Sequence, residues 1–316
     1  MNAIGFEDFS RQALFDPQHG YYTRGNATRV GIAAGTDFYT ATSVASVFAP
    51  LLCEAAKKLL RGNAAGSATP DWSRFTFVEI GSESSESPIV REAKRHFGAV
   101  KTIRVGEPIV IPPEAIVFAN ELFDAQPFAR LLVCDGAWRE IGVTRGNDGG
   151  LCEVLLEKFS NARLADFAGT LDVPDDGWHL DISLEAENLM ATICGGDWHG
   201  VAIFPDYGKT VADCLTGFPA GTARAYYRHT QSNDLLARPG EQDLTCHVMW
   251  ERLEAVARSR GAREVVTRRQ EAFFMNLVPE KIMEISARGN EWRAKLMELI
   301  HPAKMGHAFQ VLSFVR

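Results

Sequence analysis

The feature that most constrains the fold is an alternation of strand-length and helix-length segments in the first half of the chain. Apolar runs of strand length, rich in β-branched and aromatic residues, lie at 75–81, 101–105 and 115–119. A helix is predicted over about 88–97. Such alternation predicts an α/β fold with a parallel sheet, whose ligands bind at the carboxyl ends of the strands. Functional residues are therefore expected around Gly81 and Asn120, where two of these strands end.

The composition is that of an ordinary globular protein. Of the 316 residues, 46% are hydrophobic and 23% are charged, which excludes wholesale disorder. This length predicts two domains, or one large α/β domain with additions. The net charge of -7 argues against binding to nucleic acid or to an anionic membrane, because both need a basic surface. No apolar run reaches the roughly 18 residues of a membrane span, and residues 1–12 lack a secretion signal, so a cytoplasmic location is predicted.

The spacing of cysteines and histidines argues against a metal site. The six cysteines are scattered singly, without a C-x-x-C pair, and the eight histidines lack ligand spacing. This pattern excludes a zinc ribbon and a thioredoxin motif and predicts reduced thiols. We expect no bound metal.

Outside the first strands, periodicity and turn residues predict further elements: helices over 6–15, 44–59, 184–193 and 281–299, a hairpin of 138–145 with 151–158, and strands over 201–204 and 309–315. Pro50 predicts a kink or a late start in the second helix, and Asp243 is a candidate cap for another helix. The predicted domains are an N-terminal helical cover segment, 1–70, a core made of 71–136 and 197–316, and an inserted hairpin and helical region, 137–196.

Glu79-Ile-Gly81 ends the first strand, where mononucleotide-binding folds hold an adenosine ligand and a glycine lets the backbone approach it. No second glycine follows within residues 82–87, so a strand-to-helix turn capped by serines is the alternative interpretation. Glu83 and Glu86 would compete with a phosphate for the helix N-terminus. The turn therefore favours a cationic ligand over NAD or ATP.

Two more strand ends carry clustered polar residues. Asn120, Glu121 and Asp124 follow one buried strand. Their side chains can hold a ligand amine, or they can cap the next helix and interact with its dipole, and both roles are compatible. Asp206 and Tyr207 follow another buried strand at a comparable position.

Eight segments match a known family in order, and they span almost the whole chain: FSRQALFDPQHGYY (9–22), DFYTA (37–41), VEIG (78–81), ANELFDAQP (119–127), DYG (206–208), TARAYYRH (222–229), PGEQDLTCHV (239–248) and MGHAFQVL (305–312). On these segments the chain resembles the MidA-like family of class I S-adenosylmethionine-dependent methyltransferases. A mitochondrial complex I assembly factor that methylates a protein arginine belongs to that family.

The resemblance implies a Rossmann-like sheet, S-adenosyl-L-methionine as the cofactor and a protein substrate. It implies that the cofactor is contacted by residues of the N-terminal segment and of the strand ends: Tyr22, Asp37, Tyr39, Thr40, Glu79, Gly81, Glu107 and Asn120. It also implies that Glu121 and Asp124 orient the substrate nitrogen and receive its proton. Asp206 and Tyr207 are expected to line the substrate pocket.

The chain departs from the family pattern in two respects. The family's first strand ends in an E-x-G-x-G-x-G type loop, of which only Gly81 is present. Each strand–helix–strand unit takes roughly 30 residues or more, yet the stretch from Gly81 to Asn120 has room for one helix. One strand–helix repeat is therefore expected to be lost or reduced between Gly98 and Pro113. Glu107 then has two possible alignments. It either follows the family's second strand, or it belongs to a segment that matches the family's third strand.

Two classes of function fit these observations. The retained NELFDA and PGEQDLT segments favour an active methyltransferase. The missing glycines and the shortened sheet favour a catalytically degenerate methyltransferase-fold protein that acts as a partner-binding or assembly module. A dinucleotide oxidoreductase fits poorly because its phosphate loop is absent. A bacterial cytoplasm and a mitochondrial matrix are both compatible with the sequence, which does not determine the oligomeric state.

Overall fold

The computed structural model describes residues 3–23, 44–63, 70–82, 84 and 86–316. Its helices, in chain order, are α1 (Phe6–Phe15), α2 (Ala45–Asn63), α3 (Pro88–Ala93), α4 (Ala162–Gly169), α5 (Leu184–Ile193), α6 (Val211–Gly217), α7 (Trp250–Ser259), α8 (Gln270–Leu277), α9 (Pro279–Ala287), α10 (Asn290–Ile300) and α11 (Met305–Ala308). Among these residues, no helix combines the length and the apolar composition that crossing a lipid bilayer requires.

The strands of the same residues, in chain order, are β1 (Ile4–Gly5), β2 (Thr76–Ile80), β3 (Ala99–Ile103), β4 (Glu114–Phe118), β5 (Ala129–Cys134), β6 (Ala137–Arg145), β7 (Leu151–Leu155), β8 (His179–Ile182), β9 (His199–Asp206), β10 (Gly208–Lys209), β11 (Arg224–Tyr227), β12 (Thr230–Ser232), β13 (Asp243–Thr245), β14 (Val248–Met249), β15 (Arg263–Arg269) and β16 (Gln310–Val315). They form two large and two small sheets.

The chain forms two compact units. Unit 1 comprises Met1–Ala27, Phe123–Leu189 and Gly208–Glu251, and unit 2 comprises Thr28–Leu122, Met190–Tyr207 and Arg252–Arg316. The domain boundaries predicted at residues 70, 136 and 196 stay a prediction.

Unit 2 contains a six-stranded sheet with the order β15-β16-β9-β4-β2-β3. The four strands from β9 to β3 run parallel to one another. β16 pairs antiparallel with both β9 and β15, so β15 runs in the same direction as these four strands. The predicted α/β fold is therefore confirmed. The described sheet is mixed because β16, its last strand in chain order, runs against the other five.

Helix α2 packs on one face of this sheet through buried apolar residues. Phe48 of α2, Phe77 of β2 and Phe118 of β4 are fully buried, and the ring of Phe118 lies 6.0 Å from each of the other two rings. Burying one phenylalanine contributes roughly 1.5–3 kcal/mol, so this cluster anchors the helix to the strands. Pro50 lies inside α2, which excludes the late start that was one of its two predicted effects.

Unit 1 contains a five-stranded sheet, β1-β6-β5-β8 with β7 paired to β6, and the β6–β7 pair is the predicted hairpin. A buried ion pair crosses this sheet, because Arg130 Nε donates to Asp181 Oδ1 at 2.9 Å. Asp181 Oδ2 accepts the backbone N–H groups of Thr222 and Ala223 at 2.6 and 2.7 Å. Since a buried charge is costly unless all its bonds are made, these contacts fix the residues that precede β11.

Two small sheets, β12-β11-β13 and β10-β14, complete unit 1. Asp243 is the first residue of β13, so the prediction that it caps a helix was wrong. The helix that follows, α7, begins only at Trp250, because the intervening backbone pairs in β13 and β14.

The single helix predicted over 281–299 is two helices. α9 ends at Ala287 and α10 begins at Asn290, with Gly289 at φ +125° between them. Backbone in that region cannot continue an α-helix, although the apolar periodicity persists on both sides.

The connection from β3 to β4 is short. Residues 104–113 contain no helix, and β3 is the last strand on its side of the described sheet. Lys101 of β3 donates through Nζ to the carbonyl oxygen of Val110 at 2.6 Å, which holds this connection near the edge strand. Pro108, Pro112 and Pro113 within it lack a backbone N–H group, and prolines and lysines discourage further strand pairing at an edge.

Gly98, between α3 and β3, permits a close backbone approach that can be tested. A Cβ atom at this position would lie 1.7 Å from the backbone oxygen of Ser73. We therefore expect Gly98→Ala to lower the free energy of unfolding by about 2–3 kcal/mol. At Gly62, in the last turn of α2, a Cβ atom would meet nothing within 4 Å. Gly62→Ala is thus the matched control, with an expected change between zero and a gain of about 1 kcal/mol. Urea unfolding measures the free energy of unfolding of both variants. Equal unfolding midpoints for Gly98→Ala and Gly62→Ala would contradict the close approach of Gly98 to Ser73.

Candidate active site at the strand ends

Three neighbouring parallel strands of unit 2 end at the same edge of the sheet. Backbone pairing places β4 between β2 and β9 and fixes the register of all three. The residues that follow these strands within three positions lie at this edge, and they include Gly81, Asn120, Glu121 and Tyr207. This edge is the place where ligands of parallel sheets bind.

The turn after β2 combines a left-handed glycine with a serine cap. Gly81 has φ +80°, and its N–H donates to the backbone oxygen of Ile103 at 2.9 Å. A Cβ atom on Gly81 would lie 3.0 Å from Leu122 Cδ1, so both backbone and space favour glycine. Ser87 Oγ accepts the N–H of Val90 at 3.1 Å and caps α3. The serine cap is therefore present beside the glycine turn.

Glu79 is a buried carboxylate on β2, just before this turn. It is 5% exposed, and its Oε2 accepts a hydrogen bond from Ser87 Oγ at 2.6 Å. Burial raises the pKa of Glu79, while hydrogen bonds from Ser87 and Ser82 act in the opposite direction. No cationic side chain among the described residues pairs with it within 4.0 Å. Its carboxylate can therefore accept hydrogen bonds from the hydroxyl or ammonium group of a ligand.

Asn120 and Glu121 form a hydrogen-bonded pair after β4. Asn120 Nδ2 donates to Glu121 Oε1 at 2.5 Å. Asn120 Oδ1 is buried and accepts no hydrogen bond from another described residue. A buried acceptor left in this way costs roughly 1–3 kcal/mol, so the oxygen is suited to a donor on a ligand. Glu121 has φ +50°, a left-handed conformation that is rare outside glycine and that clusters at functional sites.

Asp206 joins the ends of β9 and β4. It is fully buried; its Oδ1 accepts the N–H of Tyr207 at 2.7 Å, and its Oδ2 accepts the N–H of Leu122 at 3.2 Å. These bonds give Asp206 a structural role next to Glu121. The ring of Tyr207 packs against Phe309, with ring centroids 4.1 Å apart.

In unit 1, the structure brings Tyr22, Asp124 and Asp243 together. Tyr22 Oη donates to Asp243 Oδ1 at 2.9 Å, and the two aspartates are 6% and 3% exposed. Burial raises the pKa of Tyr22 well above its usual range, and the charges of Asp243 and Asp124 raise it further, so the phenol stays protonated. Sequence reasoning included Tyr22 and Asp124 but missed Asp243. Asp243 lies in the PGEQDLT segment, one of the segments that match the family, and this match could have identified it as a site residue.

The remaining predicted cofactor residues have different outcomes. Glu107 is exposed in the turn after β3, and its Oε2 accepts the N–H of Arg104 at 2.9 Å. β3 pairs directly with β2, so Glu107 follows the strand next to β2. Its role in cofactor binding stays a prediction. Asp37, Tyr39 and Thr40 lie outside the described residues.

Comparison with known proteins identifies the family. The family model of S-adenosyl-L-methionine-dependent methyltransferases matches residues 49–268, which is more than half of the chain. The chain therefore belongs to this family, whose cofactor is S-adenosyl-L-methionine. The methyltransferase family and the cofactor predicted from the sequence are confirmed.

A curated relative covers part of the chain. The "Protein arginine methyltransferase NDUFAF7 homolog, mitochondrial" of Drosophila melanogaster is 29% identical over 219 residues. This alignment covers 63% of the chain and 46% of the relative. The chain thus spans about half the length of the curated relative that it matches.

Two solved structures share the fold. A COG1565 superfamily member from Burkholderia thailandensis, bound to S-adenosyl-homocysteine, has a TM-score of 0.82 and 23% identity, covering 99% of this chain and 88% of its own. A native COG1565 superfamily protein from the same organism has a TM-score of 0.78 and 21% identity, covering 100% of this chain and 88% of its own. At these identities the likeness shows the fold alone.

The residues at the strand ends fit the family's cofactor. S-adenosyl-L-methionine carries an ammonium group and ribose hydroxyls as donors, a positive sulfonium and no phosphate. Asn120 Oδ1 and the Glu79 carboxylate are buried acceptors, and Gly81 leaves the turn free of a side chain. Among the described residues, no three or more His, Cys, Asp or Glu side chains are grouped so that they could hold a metal ion.

The raised pKa of Glu79 predicts a pH-dependent effect on stability. A carboxylate whose pKa is higher in the folded state stabilises the fold below its unfolded pKa, and this contribution is lost as the pH rises through the folded pKa. Glu79→Gln removes that loss and keeps an acceptor for Ser87. We therefore expect the stability of the variant, relative to the wild type, to be greater near pH 8 than near pH 4.5, which lies close to the usual glutamate value.

Urea unfolding at several pH values measures this difference. Glu157→Gln is the matched control, because Glu157 is exposed. A stability difference for Glu79→Gln that stays constant across the pH range would contradict the raised pKa.

Proposed function

We propose that the chain transfers a methyl group from S-adenosyl-L-methionine to a nitrogen of a protein side chain, such as that of arginine. The observation that carries the proposal is the arrangement after β4, where a buried acceptor on Asn120 adjoins the strained Glu121. The printed name of the Drosophila relative, a protein arginine methyltransferase, supports arginine as the target.

The cofactor would be held by acceptors and by open backbone. Asn120 Oδ1 would accept a hydrogen bond from its ammonium group, and Gly81 would let the backbone approach it. Glu79 and Glu107 are the acidic residues nearest in sequence to the ends of β2 and β3, and we assign them to the polar groups of the nucleoside. Following the family resemblance, we also assign cofactor contacts to Tyr22 and to a set from the N-terminal segment: Asp37, Tyr39 and Thr40.

The bound cofactor supplies an electrophilic methyl group on a positively charged sulfur. The residues of this chain orient the acceptor nitrogen toward it and exclude water, which is the main contribution a protein can make to such a displacement. We assign Glu121 and Asp124 to orient a guanidinium group through charge-assisted hydrogen bonds and to receive its proton. Asp206 and Tyr207 are assigned to the walls of the substrate pocket.

The sheet supports the proposed loss of one strand–helix repeat relative to the family pattern. The segment from β3 to β4 is ten residues long, 104–113, and has no helix, and β3 is the edge strand of the described sheet. A repeat that follows the second strand would occupy this position. We propose that the proline-containing connection replaces it.

A second function is favoured by the loop after Gly81. Ser82 Oγ donates to the backbone oxygen of Ser84 at 2.7 Å, and Ser84 Oγ accepts the N–H of Glu86 at 3.2 Å. Serine side chains thus satisfy backbone groups that a glycine-rich loop would offer to a ligand. This favours a methyltransferase-fold protein that has lost turnover and acts as a partner-binding or assembly module.

The lengths over which the relatives match support one of the two compartments. The two structural matches come from a bacterium, and this chain covers 88% of the length of each. It covers 46% of the length of the mitochondrial relative. We propose the bacterial cytoplasm in preference to the mitochondrial matrix, with a protein partner and no nucleic acid.

Cofactor binding is tested by calorimetric titration with S-adenosyl-homocysteine. We expect micromolar binding by the wild type. Asn120→Ala should weaken it by about tenfold or more, because a hydrogen bond to a charged group contributes roughly 1.5–3 kcal/mol. Gly81→Val should weaken it further, because the side chain needs space that Leu122 occupies. Asn233→Ala, at an exposed asparagine, is the matched control. The absence of heat from the wild type at millimolar ligand would favour the binding module.

Catalysis is tested by transfer of a tritiated methyl group to a library of peptides with a central arginine. Glu121→Gln and Asp124→Asn should each lower the rate by about 100-fold or more, because general-base catalysis contributes roughly 10²–10⁴-fold. Binding of S-adenosyl-homocysteine should be retained in both variants. Asp166→Asn, at an exposed aspartate of α4, is the control. Full activity of both variants would remove these roles, and a wild type that binds the cofactor without transfer would support the alternative function.

A further inference from the structure

The hydroxyl group of Ser87 connects the start of α3 with the buried carboxylate that precedes the turn after β2. Ser87 Oγ accepts the N–H of Val90 at 3.1 Å and donates to Glu79 Oε2 at 2.6 Å. Ser87 is the N-cap of α3, and Pro88 follows it at the first turn of the helix. Since proline fixes its own φ and restricts the residue before it, the backbone holds Ser87 in place.

The cap directs the hydroxyl hydrogen of Ser87 toward Glu79. A serine hydroxyl has one hydrogen to donate, and its lone pairs accept. Because the Val90 N–H occupies a lone pair, the hydrogen is available to Glu79 Oε2. The distance of 2.6 Å is typical of an O–H group bonded to an ionised carboxylate. The three groups therefore form a chain in which each hydrogen bond polarises the next.

The other serine near Glu79 uses its hydrogen elsewhere, because Ser82 Oγ donates to the backbone oxygen of Ser84 at 2.7 Å. Burial raises the pKa of Glu79, and the hydrogen bond from Ser87 is the larger of the two that lower it. The titratable side chains on the described elements around Glu79 are Lys101 of β3, Glu114 of β4, Arg91 and Glu92 of α3, and Glu54, Lys57, Lys58 and Arg61 of α2. The causes of the pKa shift include none of these charges. Ser87 is thus the principal group that favours the ionised form.

We infer that Ser87 is a positioning residue for the cofactor, whose hydroxyl orients the Glu79 carboxylate and leaves Oε1 for a donor group of S-adenosyl-L-methionine. The inference rests on the proposed function, which assigns Glu79 to the polar groups of the nucleoside. The serine cap and the ligand site, two alternative interpretations of this turn, are then parts of one arrangement.

The test is calorimetric titration of the full chain with S-adenosyl-homocysteine at pH 7 and pH 5. Ser87→Gly removes the donor, whereas glycine retains most of the stability of a helix cap. Without the donor the pKa of Glu79 rises further, so acidification protonates the carboxylate more readily and weakens binding more. We expect the ratio of the affinities at pH 7 and pH 5 to exceed the wild-type ratio by about threefold or more.

Further variants separate this role from that of a helix cap. Ser87→Thr keeps the cap and the donor and should restore the wild-type ratio. Ser87→Ala lacks both, so it should show the altered ratio together with a lower melting temperature. The matched control is Asn161→Ala, because the Asn161 side chain accepts the N–H of Leu164 at 2.8 Å and caps α4. This variant should melt at a lower temperature and keep the wild-type ratio.

A double variant tests whether Ser87 acts through Glu79. Glu79→Gln should make the affinity nearly independent of pH over this range, and adding Ser87→Gly should not restore a pH dependence. A pH dependence that Ser87→Gly alters equally with and without Glu79 would overturn the inference. So would a wild-type ratio of affinities in Ser87→Gly, or an equal change in Ser87→Gly and Asn161→Ala.

Urea unfolding without cofactor gives a second measurement. A higher folded-state pKa of Glu79 means that more stability is lost as the pH rises. Ser87→Gly should therefore lower the free energy of unfolding more at pH 7 than at pH 5, and an equal loss at both pH values would contradict the coupling to Glu79. Absent binding by the wild type at both pH values would overturn the proposed function and the cofactor role of Ser87 with it. Intact binding with the wild-type pH dependence in Ser87→Gly would overturn this inference alone.

Discussion

The backbone junction between β4 and β9 is the constraint on which the candidate site depends. The N–H of Glu121 donates to the backbone oxygen of Pro205 at 3.0 Å, and the N–H of Leu122 donates to the buried carboxylate of Asp206. A buried carboxylate that lost these donors would be costly, so the junction is strongly held. It supports the left-handed conformation of Glu121 and therefore fixes where the side chains of Asn120 and Glu121 lie. The site is built on strand pairing rather than on a free loop.

Local sequence predicted the ends of β2 and β4 to within one residue, because each of these buried runs stops at a polar residue or at glycine. It was less accurate for β3, which ends at Ile103 and not at residue 105, and for β9, which ends at Asp206 and not at residue 204. Residues 75–81 and 115–119 became β2 and β4, and the polar residues after them lie at one edge of the sheet. Long-range partners could not be predicted in this way. Tyr22 and Asp243 are 221 residues apart in sequence and share a hydrogen bond. No periodicity links them, and the residue types around Asp243 resemble a helix start as much as a strand.

Backbone conformation was the other limit of prediction. Apolar periodicity runs through residues 281–299, yet Gly289 divides them into α9 and α10. The opposite case is the two-residue turn between β11 and β12, where Arg228 and His229 have φ angles of +49° and +62° although neither is glycine. Side-chain patterns report which face of an element is buried, whereas φ is set by the pairing of the flanking residues. At Arg228 and His229 that pairing prevails over local preference.

The turn after β2 keeps some features of a cofactor site and lacks others. In a glycine-rich loop several glycines let a ligand approach the backbone, whereas here Gly81 is followed by serines. A positively charged cofactor without phosphate also needs hydrogen-bond acceptors. The acceptors remain at this edge, in the Glu79 carboxylate and in Asn120 Oδ1.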